Sequence, residues 1–128
     1  MKSIGNCLVA LLIALLVGLL AQIVPAYADN QELDFTLANR TGYAVKGIYL
    51  ASSSSTDWGS NLISKPMENG DHLAITFAVN AKGVQWDIRI VWINAGGETV
   101  WKKCRLDEIS KFTLRYNSGT DVTSAETE

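Results

Sequence analysis

The chain has 128 residues with 11 Lys and Arg against 13 Asp and Glu, so its formal net charge is −2. The basic residues are scattered along the sequence, and they form none of the stripes that nucleic-acid-binding proteins present. We therefore expect no nucleic-acid partner. About 100 residues remain after the amino-terminal leader described below, which is enough for one hydrophobic core.

The first 28 residues have the features of a secretory signal peptide. Lys2 supplies a positive start, and an almost purely aliphatic run follows from Cys7 to Leu20. Ala26 and Ala28 satisfy the small-x-small rule for cleavage after Ala28. This pattern predicts a signal helix over residues 1–28 and a periplasmic or secreted product. The alternative is an uncleaved leader, in which residues 7–24 anchor the chain and supply its only membrane contact.

Cleavage after Ala28 changes the charge and the cysteine content of the product. Loss of Lys2 leaves 10 basic against 13 acidic residues, and loss of Cys7 leaves Cys104 alone. One cysteine cannot form an internal disulfide, so we expect an ordinary apolar core to stabilise the domain.

The rest of the sequence alternates between apolar and polar residues at strand period, with turn residues between the runs. Gly47 interrupts the second run and shifts its phase, which predicts a β-bulge. The pattern predicts an all-β fold: a small antiparallel β-sandwich over residues 29–116, followed by a disordered tail over 117–128. The six predicted strands are Glu32–Asn39, Tyr43–Ala51, Leu73–Val79, Val84–Ile93, Glu98–Cys104 and Lys111–Tyr116.

A long polar segment, Ser52–Glu68, separates the second and third runs and carries Trp58. Long loops in small domains are often functional, and an exposed tryptophan binds partners with little loss of side-chain entropy. The alternative is that Trp58 folds back and caps the sandwich. The predicted binding residues are Asn39, Thr41, Gly42, Asp57, Trp58 and Trp101.

Catalytic and metal-binding patterns are weak in this sequence. His72 is the only histidine, Cys104 is the only thiol after cleavage, and no serine lies in a nucleophile-elbow context. One cysteine and one histidine do not fill a zinc site without carboxylates. We therefore expect no catalytic residue, no metal and no cofactor. The alternative for a metal is calcium held by acids in or near the loops, Asp57, Glu68, Asp71 and Asp87. An enzyme would require carboxylates such as Asp57 and Asp87 to converge.

Several segments of the sequence fit one combined pattern, which is approximately F-x-x-x-N-x-T-G, then W-G-x-x-L, then W-D-[IL]-[RK]. The matching pieces are Phe35–Gly42, Ile48–Ser53, Trp58–Ile63, Gly70, Ile75–Phe77 and Trp86–Arg89. In this combination the sequence resembles a family of small exported bacterial β-domain proteins of unknown function. The resemblance covers Phe35 to Tyr116 and implies an exported bacterial β domain without assigning an activity.

These observations favour a non-enzymatic binding or interaction module of the bacterial envelope. Its partner would be an envelope protein or a polysaccharide. The predicted surface joins the loop around Trp58 to Asn39, Thr41 and Gly42. The alternative is a carbohydrate-binding module that uses Trp58 and Trp101.

Overall fold

The structure, a computed structural model, describes residues 2–3, 31–78, 80–94 and 97–128. The predicted signal peptide lies outside the described residues, apart from Lys2–Ser3. Over the described ranges the fold is all-β, with two sheets and two short 3-10 helices, Gln31–Leu33 and Leu106–Glu108. Within the part of the chain that the structure describes, no helix is long and apolar enough to cross a membrane.

Among the described residues from 31 onward, seven strands build the two sheets, and the six predicted runs each contribute one of them. The seventh strand is the last. In chain order the strands are β1 (Phe35–Arg40), β2 (Val45–Ser52), β3 (His72–Ile75), β4 (Gln85–Trp92), β5 (Glu98–Arg105), β6 (Lys111–Asn117) and β7 (Val122–Thr127).

The larger sheet has the order β7-β6-β1-β3, and Lys2–Ser3 pair in parallel with Val122 and Thr123 on its outer side. The pairs β6–β7 and β1–β3 are antiparallel, but β1 and β6 run parallel. The prediction of a purely antiparallel sandwich is therefore wrong for this pair. Strand direction depends on the route of the connections, which alternation within a strand does not encode.

The smaller sheet has the order β2-β4-β5 and is antiparallel throughout. The predicted bulge is confirmed, since the β2–β4 register shifts between Val45 and Gly47. A second shift in the β4–β5 pairing leaves an extra residue in β5, where Lys103 has φ 58°. The buried carboxylate of Asp87 accepts the Lys103 N–H at 3.0 Å and so stabilises this second bulge.

One apolar core lies between the two sheets. Trp101 of β5 and Phe112 of β6 make an edge-to-face contact with ring centroids 5.4 Å apart, which joins the sheets directly. Inward residues of every strand contribute to this core or pack against it. Its largest fully buried aliphatic members are Leu33, Leu37, Ile48, Ile88, Ile90, Leu106 and Leu114.

The predicted disordered tail over residues 117–128 is wrong, because most of it forms β7. The inward positions of β7 carry Thr123, Ala125 and Thr127, which pair with Tyr116, Leu114 and Phe112 of β6. Thr123 and Thr127 are buried, and Ala125 packs against the core. Such small side chains give no strong apolar signal in the sequence, although they are buried or pack against the core in the structure.

Candidate functional site

Asn39, a predicted binding residue, is fully buried and holds a turn together. Its side-chain amide donates to the carbonyls of Tyr43 at 2.8 Å and Met67 at 3.1 Å. Its side-chain oxygen accepts from the backbone N–H and the hydroxyl of Thr41, at 3.2 and 2.8 Å. All four hydrogen-bonding capacities of the amide are used inside the chain. The prediction that Asn39 contacts a ligand is therefore wrong.

Thr41 and Gly42 belong to the same turn. Thr41 is 7% exposed, and its hydroxyl accepts the Tyr43 N–H at 3.1 Å, so its prediction as a ligand contact is also wrong. Gly42 is exposed, with a φ of 87° that favours glycine, and its N–H donates to Asn69 Oδ1 at 2.9 Å. The turn thus fastens the start of β2 to the end of the long loop.

Trp101, the second predicted tryptophan of the carbohydrate hypothesis, is 1% exposed and packs against Phe112. It cannot contact a surface ligand, and the prediction is wrong. Strand alternation failed here because the bulge near Lys103 lets Trp101 and Cys104, three residues apart, both face the core. Simple alternation would place two residues at this spacing on opposite faces.

The long loop is fixed along the open edge of β2. Asn61 Oδ1 accepts the Ile48 N–H at 2.9 Å, and its Nδ2 donates to the Lys46 carbonyl at 3.1 Å. The next residue, Leu62, donates its backbone N–H to the Ile48 carbonyl at 2.9 Å. These bonds replace a neighbouring strand and satisfy backbone groups that an edge strand leaves unpaired.

The beginning of the loop is hydrogen-bonded to β4 through Ser53. The Ser53 hydroxyl donates to Asp87 Oδ1 at 2.7 Å, and the Ser53 N–H donates to the Gln85 carbonyl at 2.9 Å. Asp57 is exposed, and its carboxylate accepts the Gly59 N–H at 3.0 Å within a local turn. Both ends of the loop are therefore anchored on the smaller sheet, with Trp58 between the two anchors.

Trp58 lies over the outer face of the smaller sheet, beside a cation. The Arg89 guanidinium carbon is 4.9 Å from the centroid of the Tyr49 ring and 6.0 Å from that of the Trp58 ring. Both distances are within the range of cation–π attraction. Glu98 completes the arrangement: its Oε1 accepts from Arg89 Nε at 3.0 Å and lies 2.9 Å from Nη2. We call these four residues the outer-face cluster.

Strand register explains why the cluster forms. Tyr49 of β2 is paired directly with Arg89 of β4, and direct cross-strand partners share one face of a sheet. Glu98 follows on β5, paired with Val91 on the next rung. Gly47 leaves room for the Tyr49 ring in this position, because a Cβ added at Gly47 would lie 2.9 Å from Tyr49 Cε2.

The outer-face cluster is open to solvent. Tyr49 and Trp58 are half-buried, and the side chains of Arg89 and Glu98 are 29% and 46% exposed. Two aromatic faces and a guanidinium can together hold a ring-shaped ligand that also carries hydrogen-bond acceptors. Among the described residues, no hydrogen bond or ring contact joins this cluster to the Asn39 turn, so the predicted surface divides into a structural turn and a separate cluster.

Sequence reasoning found Trp58 but missed Tyr49, Arg89 and Glu98. Each of the three occupies a polar or aromatic position on a predicted strand, and the available signal was their outward parity. Tyr49 pairs with Arg89, 40 positions away, and this pairing is not readable from local alternation. Glu98, in contrast, reaches Arg89 across the short connection between β4 and β5.

Ionisable groups with displaced pKa values belong to surface pairs outside the cluster. The hydrogen bond from Arg105 lowers the pKa of Asp107, and the hydrogen bond to Asp121 raises the pKa of Tyr116. Across the described ranges, no group of three or more His, Cys, Asp or Glu side chains is arranged to hold a metal ion. Asp57 and Asp87 each serve a separate local motif.

Comparisons with known proteins address the fold alone. No family model matches the chain, and no curated protein matches it. A solved structure, described as the NMR structure of the protein from Eubacterium rectale, is similar with a TM-score of 0.50 and 12% sequence identity. The similarity covers 73% of this chain and 85% of that one. The resemblance to exported bacterial β-domain proteins stays a prediction, and the similarity to the solved structure is one of fold alone.

Proposed function

We propose that this chain is a non-enzymatic binding module of the bacterial envelope, exported by its first 28 residues. Its binding surface is the outer-face cluster of Tyr49, Trp58, Arg89 and Glu98. The module acts by contact, and its partner is an envelope polysaccharide or protein.

The observation that supports this proposal most directly is the position of Trp58. Trp92 and Trp101 are buried in the core, and the half-buried Trp86 packs against it. Trp58 instead lies half-buried on the outside of a sheet, with its ring centroid 6.0 Å from the half-buried Arg89 guanidinium carbon. Tryptophan and arginine are the side chains most enriched at binding hot spots.

The anchoring of the loop also supports binding. The Asn61 and Ser53 hydrogen bonds fix both sides of the segment that carries Trp58. A side chain held in place before binding loses less entropy when the partner arrives. A loop built in this way suits recognition of a partner by a pre-formed surface.

The experiment is retention of the full chain on immobilised polysaccharide and protein fractions of a bacterial envelope extract. Trp58→Ala should abolish retention, whereas Tyr43→Ala, which removes an exposed aromatic beside Tyr116, should not. Circular dichroism establishes that both variants are folded. The proposal is wrong if both variants are retained as well as the parent chain, or if the folded parent is retained on no fraction.

A further inference from the structure

The pairing of Arg89 with Glu98 indicates what the outer-face cluster binds. Arg89 directs both Nε and Nη2 toward one oxygen of Glu98, at 3.0 and 2.9 Å. Guanidinium groups normally bind a carboxylate with two parallel hydrogen bonds to two oxygens. In this pair both nitrogens contact the same oxygen, Glu98 Oε1, so the guanidinium of Arg89 does not have the two-oxygen partner that suits it best.

The Arg89–Glu98 pair is also partly open to solvent. Its side chains are 29% and 46% accessible, and exposed ion pairs contribute little to stability because water and salt compete with them. An external carboxylate can therefore replace Glu98 with little loss of folding stability. In the unliganded chain, the Glu98 carboxylate occupies the position on Arg89 that a ligand carboxylate would take.

The aromatic rings determine what else such a ligand must carry. The Tyr49 and Trp58 rings lie 4.9 and 6.0 Å from the Arg89 guanidinium, so a carboxylate bound to Arg89 brings the group attached to it close to both rings. The C–H face of a sugar ring packs well on tryptophan. A pyranose that bears a carboxylate satisfies the rings and the cation together.

We propose that the outer-face cluster binds an acidic polysaccharide, with a uronic-acid carboxylate replacing Glu98 on Arg89 and the sugar ring packed against Trp58. This inference rests on the proposed function and specifies its ligand class. Glu98 then competes with the ligand, so removing its charge strengthens binding.

The test is isothermal titration calorimetry of the full chain with short oligomers of polygalacturonate, dextran and polyglutamate. We expect polygalacturonate to bind and the other two to bind at least about tenfold more weakly, because dextran lacks the carboxylate and polyglutamate lacks the sugar ring. Glu98→Gln should tighten polygalacturonate binding about two- to fivefold, and Arg89→Gln should weaken it about tenfold or more.

Glu126→Gln is the matched control, since it breaks another exposed arginine–glutamate pair, Arg115–Glu126, on the larger sheet. It should leave the affinity unchanged. The inference is overturned if Glu98→Gln and Glu126→Gln have equal effects, if polyglutamate binds as tightly as polygalacturonate, or if no oligomer binds. Equal binding of dextran and polygalacturonate, abolished by Trp58→Ala but unaffected by Arg89→Gln, overturns the acidic ligand while supporting the proposed function.

Discussion

Replacement of Asn39 by alanine should destabilise the chain severely without involving any ligand. The substitution removes four hydrogen bonds, which join the amide to Thr41, Tyr43 and Met67 over 2.8 to 3.2 Å. Because Asn39 is fully buried, water does not readily replace the lost partners. The N–H of Thr41 then loses its side-chain acceptor, while the carbonyl of Met67 keeps only the bond that it accepts from the Val45 N–H.

The magnitude follows from the number of bonds. A neutral intramolecular hydrogen bond contributes about 1 kcal/mol net, and neighbouring bonds in one network are not additive. We therefore expect the free energy of unfolding to fall by about 3 kcal/mol. For a domain of this size, that loss lowers the melting temperature by roughly 15 °C.

Urea denaturation of the full chain, followed by tryptophan fluorescence, measures this loss. Asn94→Ala, at an exposed asparagine in the segment after β4, is the control and should change the free energy of unfolding by less than about 0.5 kcal/mol. The reasoning is refuted if Asn39→Ala is as stable as the control yet loses retention on envelope fractions. That result would restore Asn39 as a ligand contact.

Three further predictions concern the sheets and the surface. Gly47→Ala should weaken ligand binding severalfold in a folded chain, because its new Cβ would lie 2.9 Å from Tyr49 Cε2 and displace that ring. Trp101→Ala should cost about 3–5 kcal/mol by leaving a cavity between the sheets, seen as loss of the cooperative unfolding transition. Asp107→Asn should reduce stability near neutral pH but not in acid. The hydrogen bond from Arg105 lowers the pKa of Asp107 below 3.8, so its contribution is present above that value and is lost as the pH falls through the lowered pKa.

Each of the three has a result that would contradict it. Unchanged affinity in Gly47→Ala would separate the Tyr49 ring from the binding surface. A Trp101→Ala chain of parental stability would contradict the packing against Phe112. A stability difference between Asp107→Asn and the parent that stays constant as the pH is lowered from neutral into strong acid would show that the ion pair is not its cause.

The sequence predicts much of the fold because alternation and turn residues act locally. Six strands and the bulge at Gly47 follow from them. The parallel β1–β6 pair is not predictable in this way, since it depends on how the chain crosses between strands. β7 is not predictable from alternation either, because Thr123, Ala125 and Thr127 fill its inward positions without large apolar side chains.

The candidate site is less predictable than the fold. Trp58 is recognisable as an apolar residue in a polar loop, but its partners Tyr49 and Arg89 are brought together only by long-range strand pairing. The turn around Asn39 has the polar composition of a binding site. Its Asn39 side chain is buried, however, and the hydrogen bonds of that side chain stabilise the turn. Polar residue types alone therefore do not separate a ligand contact from a turn that closes the fold.

The most direct measurement is a proton–nitrogen correlation NMR titration of the chain with the soluble polysaccharide fraction of a bacterial envelope. The indole N–H of Trp58 and the Nε–H of Arg89 should shift, while the buried indole N–H of Trp101 stays in place as an internal reference. Stationary Trp58 and Arg89 signals, while signals of the Asn39 turn shift, would contradict the assignment of binding to the outer face of the smaller sheet.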